Sequence, residues 1–153
     1  MIWTARDALE IGKAAEHIVC ADLILSGYRA FLTDQGLPYD VVVDINGKLI
    51  RVQVKSTTAP RSVPNRPGSA PSYMFHCRRA GKGGLRKIGN NEFEILALVA
   101  LDLRHVAYIP ITESVLQTIH LRAPNSPKNH KNKSRSNVDE YPFAAALEGI
   151  ALV

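Results

Sequence analysis

Apolar residues recur at helical spacing early in the chain, at Ile11, Ala14, Ala15, Ile18, Ala21 and Leu25, until Ser26-Gly27 ends the run. Thr4 with Asp7 three residues later has the form of a capping box, so a first helix is expected over residues 5–25. Asp22 falls inside this apolar arc, and the simple face gives it no role. The period then shortens to two. Tyr28 to Leu32 reads as a short strand, Asp34 to Pro38 as a loop, and Asp40 to Ile45, with Val41, Val42 and Val43, as a β-branched strand. Asn46-Gly47 predicts a type I′ turn, and Ile50, Val52 and Val54 alternate with Arg51, Gln53 and Lys55 along a return strand from Lys48 to Thr57.

Beyond this hairpin the pattern is less regular. A loop from Ala59 to Ser72 holds Pro60, Pro64, Pro67 and Pro71, and Tyr73 to Cys77 follows as a strand. The Gly-rich segment Arg78 to Gly89 reads as a flexible basic loop, because Gly81-Lys82-Gly83-Gly84 lacks the Gly-Lys-Ser/Thr ending of a phosphate loop. Phe93 to Leu101 is nearly all apolar, as in a strand buried on both faces, and Val106 to Ile111 should pair with it through a turn at Asp102 to His105. Thr112 is placed to cap a short helix to Gln117, and Val138 to Leu147 to form a final helix with Phe143 and Leu147 inward. No repeat or boundary divides the chain, so residues 1–153 are expected to form a single domain, with a basic tail over 122–137 before that last helix.

A chain of 153 residues with 46% hydrophobic residues is long enough for one packed core. It has no run of membrane-spanning length and no apolar leader after Met1, so the expectation is a cytoplasmic protein without membrane contact. Cys20 and Cys77 stand apart, with no paired Cys or His group to complete a zinc site, and are expected as buried thiols. The charge is segregated. Residues 45–91 hold ten Lys and Arg and no acid, and residues 114–138 hold five more with none, together fifteen of the nineteen cations. Such stretches suit a phosphate backbone, whose neutralisation releases counterions whatever the sequence. Candidate DNA-binding residues are Arg51 on the hairpin and Arg78, Arg79, Lys82, Arg86 and Lys87 in the basic segment.

With Asn46 and Gly47 at the turn centre, the register sets Asp40 across from Gln53, with Lys55 beside both on one face. Val41, Val43, Ile50, Val52 and Val54 form the opposite, core-facing side. A carboxylate and an amide oxygen are ligands that a hard cation such as Mg²⁺ accepts, and Lys55 is suited to hold a phosphate or to take a proton from attacking water.

Pro38-Tyr39-Asp40, then Gln53-Val54-Lys55 after a hairpin, with Glu16 in the preceding helix, resembles the PD-(D/E)XK nuclease superfamily. Gly12-Lys13-Ala14-Ala15-Glu16, Gly27-Tyr28 and Tyr108-Ile109-Pro110-Ile111 are similar to its Holliday junction resolvase and group I intron homing endonuclease branches, over about residues 9–111. The resemblance implies an α/β, restriction-endonuclease-like core: a mixed central β-sheet flanked by helices. It implies a Mg²⁺-dependent, or Mn²⁺-dependent, DNA endonuclease working as a homodimer or homotetramer. Asp40 would be the main metal ligand, Glu16 and Gln53 would support the metal, and Lys55 would touch the phosphate or nucleophile. Gln53 departs from the acid usual at its position and adds no negative charge. A non-catalytic DNA-binding domain on the same fold is therefore the alternative. An RNA-binding protein is favoured by charge alone, and the aromatic residues do not interleave with the basic segment as base stacking would require.

Overall fold

The computed structural model describes residues 7–62, 70–81, 84–87, 92–111, 118–127 and 137–150. In chain order these form α1 (Ala8–Leu25), β1 (Arg29–Leu32), β2 (Val41–Ile45), β3 (Lys48–Thr57), β4 (Ser72–His76), β5 (Arg78–Gly81), β6 (Gly84–Lys87), β7 (Ile95–Ala100), β8 (His105–Pro110), β9 (Thr118–Arg122), a 3₁₀ turn (Val138–Glu140) and α2 (Phe143–Glu148).

The expected cap of the first helix is corrected. Asp7 caps α1, its carboxylate accepting the Glu10 N–H at 2.9 Å, and Thr4 lies outside the described residues. The buried stripe is also narrower than the apolar pattern suggests: Ala15, Val19 and Leu23, four apart, meet the sheet, with Ile11 and Ile18 beside them. Ala14 and Ala21 are exposed, and Leu25 is 87% exposed, because a single helix laid on a sheet covers only the arc that faces it.

Five strands form the central sheet in the order β1-β2-β3-β7-β8. The β3–β7 pair is parallel and the other neighbours are antiparallel, so the sheet is mixed, as expected. Asn46 (φ 53°) and Gly47 (φ 89°) both take the left-handed conformation that the type I′ turn demands. The hairpin has the expected register, Val41 opposite Val52 and Val43 opposite Ile50. β7 is buried along its whole length, because both of its faces are covered.

The two coverings differ in kind. α1 and α2 lie on one face, over Val41, Val43, Ile50, Val52, Val54, Ala97 and Val99. The other face, with Leu96, Leu98, Ala100 and Ala107, is covered by a small antiparallel sheet of β4 and β9 that brings in Tyr73, Phe75, Cys77 and Leu121. Among the described residues the helices thus flank the sheet on one side, and β9 has no counterpart in the sequence reading.

Arg78 to Gly89, expected as a flexible loop, contains the β5–β6 hairpin instead, with Arg78 paired to Lys87 and Arg79 to Arg86. The side chains of these four residues, and Lys82 altogether, lie outside the described residues. So do the expected helix at 112–117 and the basic tail over 128–136. The last helix is shorter than expected, beginning at Phe143. Pro142 has no N–H to donate and disfavours helical geometry at Tyr141, so the chain makes a 3₁₀ turn and then restarts. Phe143 is buried and Leu147 packs against the core, as expected. Both cysteines are free thiols, with Cys77 buried and Cys20 only half-buried. Among the described residues no helix is long and apolar enough to cross a membrane.

Candidate active site

Asp40 stands just before β2, where that strand and β3 part, and hydrogen bonds fix it on both sides. Its N–H donates to the Val52 carbonyl at 2.9 Å, and its carbonyl accepts the Thr33 N–H at 3.0 Å. Its carboxylate Oδ2 accepts the Val54 N–H at 2.8 Å. The Val54 amide lies between Gln53 and Lys55 in the chain, so the carboxylate is tied to the centre of that tripeptide. This refines the expected geometry. The ladder's last regular pair is Val41 with Val52, and beyond it the Asp40 side chain replaces a backbone acceptor instead of simply facing Gln53.

Glu16 reaches the same point from α1. It lines a cavity of about 490 Å³ together with Gly12, Lys13, Thr33, Leu37 and Asp40, between the first half of the helix and the loop before β2. Its carboxyl is pushed from 4.5 up to about 7, first by burial, then by its hydrogen bond to Asp40 and the Asp40 charge, with Lys13 pulling it down. Two carboxylates in contact repel as ions, so the Glu16 carboxyl keeps its proton to a higher pH than a free one. The same pair of oxygens suits a divalent cation, which would displace that proton. Among the described residues there is no group of three or more His, Cys, Asp or Glu side chains placed to hold a metal ion.

Gln53 and Lys55 alternate with Val52 and Val54 and therefore project from the opposite face of β3, the one covered by β4. Gln53 is only 9% exposed and Lys55 is half-buried. The Lys55 charge bears on Cys77 at the end of β4: burial pushes that thiol up to about 11, and the ammonium opposes the shift. The structure thus brings Glu16 and Asp40 into direct contact and holds Gln53 and Lys55 on either side of the amide that anchors Asp40.

Arg51, on the same face as Gln53, donates its Nε to Glu94 Oε2 at 2.8 Å and lies over the Tyr39 ring, 5.7 Å from its centre. Its charge is thereby balanced within the fold. Two residues of the site escaped the sequence reading. Lys13 is three residues before Glu16 on the helix, a spacing that puts both on one face and was the available signal. Thr33 extends the Leu32–Val41 pairing by one step to Asp40, which becomes visible only once β1 is paired to β2.

The fold compares with known proteins as follows. The bacterial homing endonuclease I-Ssp6803I superposes with a TM-score of 0.62 at 19% identity, over 94% of this chain and 92% of that one, a likeness of fold. No curated protein matches the chain. The family model of the PD-(D/E)XK endonuclease matches residues 7–144, a span that takes in the helix of Glu16, the Asp40 turn and the Gln53-Val54-Lys55 strand. By that match, the chain belongs to the PD-(D/E)XK endonuclease family.

Proposed function

We propose that the protein is a divalent-metal-dependent DNA endonuclease, with Mg²⁺ as the expected ion and Mn²⁺ as a substitute. The observation that carries this reading is the Glu16–Asp40 carboxyl pair anchored at the Val54 N–H, which stands between Gln53 and Lys55 in the chain. A divalent cation at such a pair supplies charge stabilisation for a reacting phosphate and lowers the pKa of water. Asp40 and Glu16 offer the two charged oxygens and Gln53 a neutral one. Lys55 holds the scissile phosphate as a point charge or takes a proton from the attacking water. The acid-free stretches at 45–91 and 114–138 supply a non-specific attraction for the phosphate backbone. Cutting two strands calls for two sites, so we infer a homodimer or homotetramer with two-fold elements.

The test is strand cleavage of end-labelled duplex, four-way junction and single-stranded DNA with Mg²⁺, Mn²⁺ or chelator, for wild type, Asp40→Ala and Lys55→Ala. Metal-dependent cutting lost in both variants is the expected outcome, and the substrate cut names the class. One observation favours a second reading. The third position of the motif is Gln53, and no third acid joins Glu16 and Asp40 among the described residues, as in a binding domain that has lost its chemistry. Equal DNA binding by all three proteins in chelator, with no cutting of any substrate, selects that reading.

A further inference from the structure

We propose that Thr33 is a positioning residue for Asp40, a side chain that holds the peptide before it in the orientation the site needs. This rests on the nuclease reading above for its catalytic consequence, and on the hydrogen bonds alone for the positioning. Thr33 directly follows β1 and precedes the loop over residues 34–38. Its hydroxyl Oγ1 donates to the Tyr39 carbonyl at 2.7 Å, and its N–H donates to the Asp40 carbonyl at 3.0 Å. One residue therefore grips both carbonyls that flank the Asp40 Cα.

The rest of Asp40 is held from the other side. The N–H of the Tyr39–Asp40 peptide goes to Val52, and the carboxylate takes the Val54 N–H. The peptide plane is thus pinned at its oxygen by Thr33 and at its nitrogen by β3. Rotating that plane swings the Asp40 side chain about its own Cα, away from Val54 and from Glu16. The loop beyond Thr33 is exposed at Asp34, Gln35, Gly36 and Leu37, and Gly36 turns with φ 94°. Thr33 also lines the cavity that Glu16 and Asp40 share. A residue that orients a ligand from behind governs affinity and rate without touching substrate, and such groups typically account for 10- to 100-fold in either.

Thr33→Val removes the hydroxyl and keeps the β-branched shape, while Thr33→Ser keeps the hydroxyl. The first readout is amide hydrogen exchange at Val54, whose N–H reports directly on the Asp40 carboxylate, with Asp40→Ala setting the limit of complete loss. Thr33→Val is expected to move Val54 toward that limit while the Ala97 amide, deep in β7, keeps wild-type protection, and Thr33→Ser should match wild type. The second readout is kinetic: kcat for DNA cleavage should fall about tenfold or more in Thr33→Val with KM little changed, and Thr33→Ser should restore it. Wild-type protection at Val54 in Thr33→Val overturns the proposal. So does equal loss of protection at Ala97, which would make the role merely structural, or an unchanged kcat. If the wild type cuts no DNA with any metal, the nuclease reading fails by itself, and Val54 exchange alone decides what Thr33 does.

Discussion

Two acids on α1, six residues apart in the same helix, have opposite surroundings. Near its end, Asp22 accepts a hydrogen bond from the Tyr108 hydroxyl at 2.5 Å, and Tyr108 packs edge-on against Phe143 while its backbone N–H donates to the Tyr141 carbonyl. Burial first, then the bond to Asp22, pushes the Tyr108 hydroxyl well above its usual range, so it stays a neutral donor to Asp22. In the middle of the helix, Glu16 meets another acid, Asp40. The first arrangement is complete as it stands and ties the helix to β8. The second is left with an excess of negative charge that only a proton or a cation relieves. Partial burial of a charge is therefore no sign of function by itself. What separates the two acids is whether the fold supplies a donor or a competitor, and the competitor is what singles out the pair proposed above as the metal site.

The largest effect should come from removing the competitor. Asp40→Asn keeps an oxygen to accept the Val54 N–H, so the fold should stand, with a melting temperature no lower than wild type once the like charge is gone. Cleavage should fall roughly a thousandfold, about 4 kcal/mol of barrier, and the Glu16 carboxyl should titrate lower, which carbon-detected NMR of the side chain reads. Retained cutting would end the distinction drawn between the two acids. The reverse substitution on the other site is Tyr108→Phe. It deprives Asp22 of its donor at a half-buried position and should cost about 1 to 2 kcal/mol of stability by urea unfolding, with cleavage unaffected. A loss of activity without a loss of stability there would make Asp22 part of the site.

The two acids were unequally legible in the sequence. The hairpin was readable because Asn46-Gly47 and strict alternation both act over a few residues, and its register put Asp40, Gln53 and Lys55 in one neighbourhood. Glu16 was identified only through resemblance, since its contact with Asp40 depends on how the helix crosses the sheet. Asp22 has no role in the apolar face read from the sequence because its partner lies 86 residues away. β9 was missed for a related reason: Thr118–Arg122 alternates weakly and becomes a strand by pairing with β4, far back in the chain. In β5 and β6, four cations over eight strand residues concealed a hairpin that composition marks as a loop. Local periodicity was a sound guide wherever it set the structure, and the site lies where distant elements meet.

The next effect is one of pH on the metal-free protein. Glu16 is raised from 4.5 to about 7, so between those values the folded state binds more protons than the unfolded one. Stability from this group is full below pH 4.5 and is lost as pH rises through about 7. In chelator, wild type should therefore lose stability across this window relative to Glu16→Gln, which has no proton to give up. Added Mg²⁺ should flatten the difference, because the cation replaces the proton. Parallel curves for the two proteins would mean that Glu16 carries no strain from Asp40, and the contrast with Asp22 would weaken.

The smallest effect tests the cation in the cleft. Lys13 is exposed on the helix, and its charge is the influence that lowers the Glu16 carboxyl against burial and Asp40. Lys13→Met keeps the stem's apolar reach and deletes the charge, so Glu16 should titrate above wild type in the metal-free protein. Because metal must compete with that proton, the acidic limb of the cleavage profile should move to higher pH, with the plateau rate on its alkaline side nearly unchanged. Added salt should shrink the difference between Lys13→Met and wild type, since an exposed charge acts through screened solvent. A fall in the plateau rate instead, with no movement of the limb, would show Lys13 touching substrate and not tuning Glu16. The cleft would then hold a second phosphate contact beside the carboxyl pair.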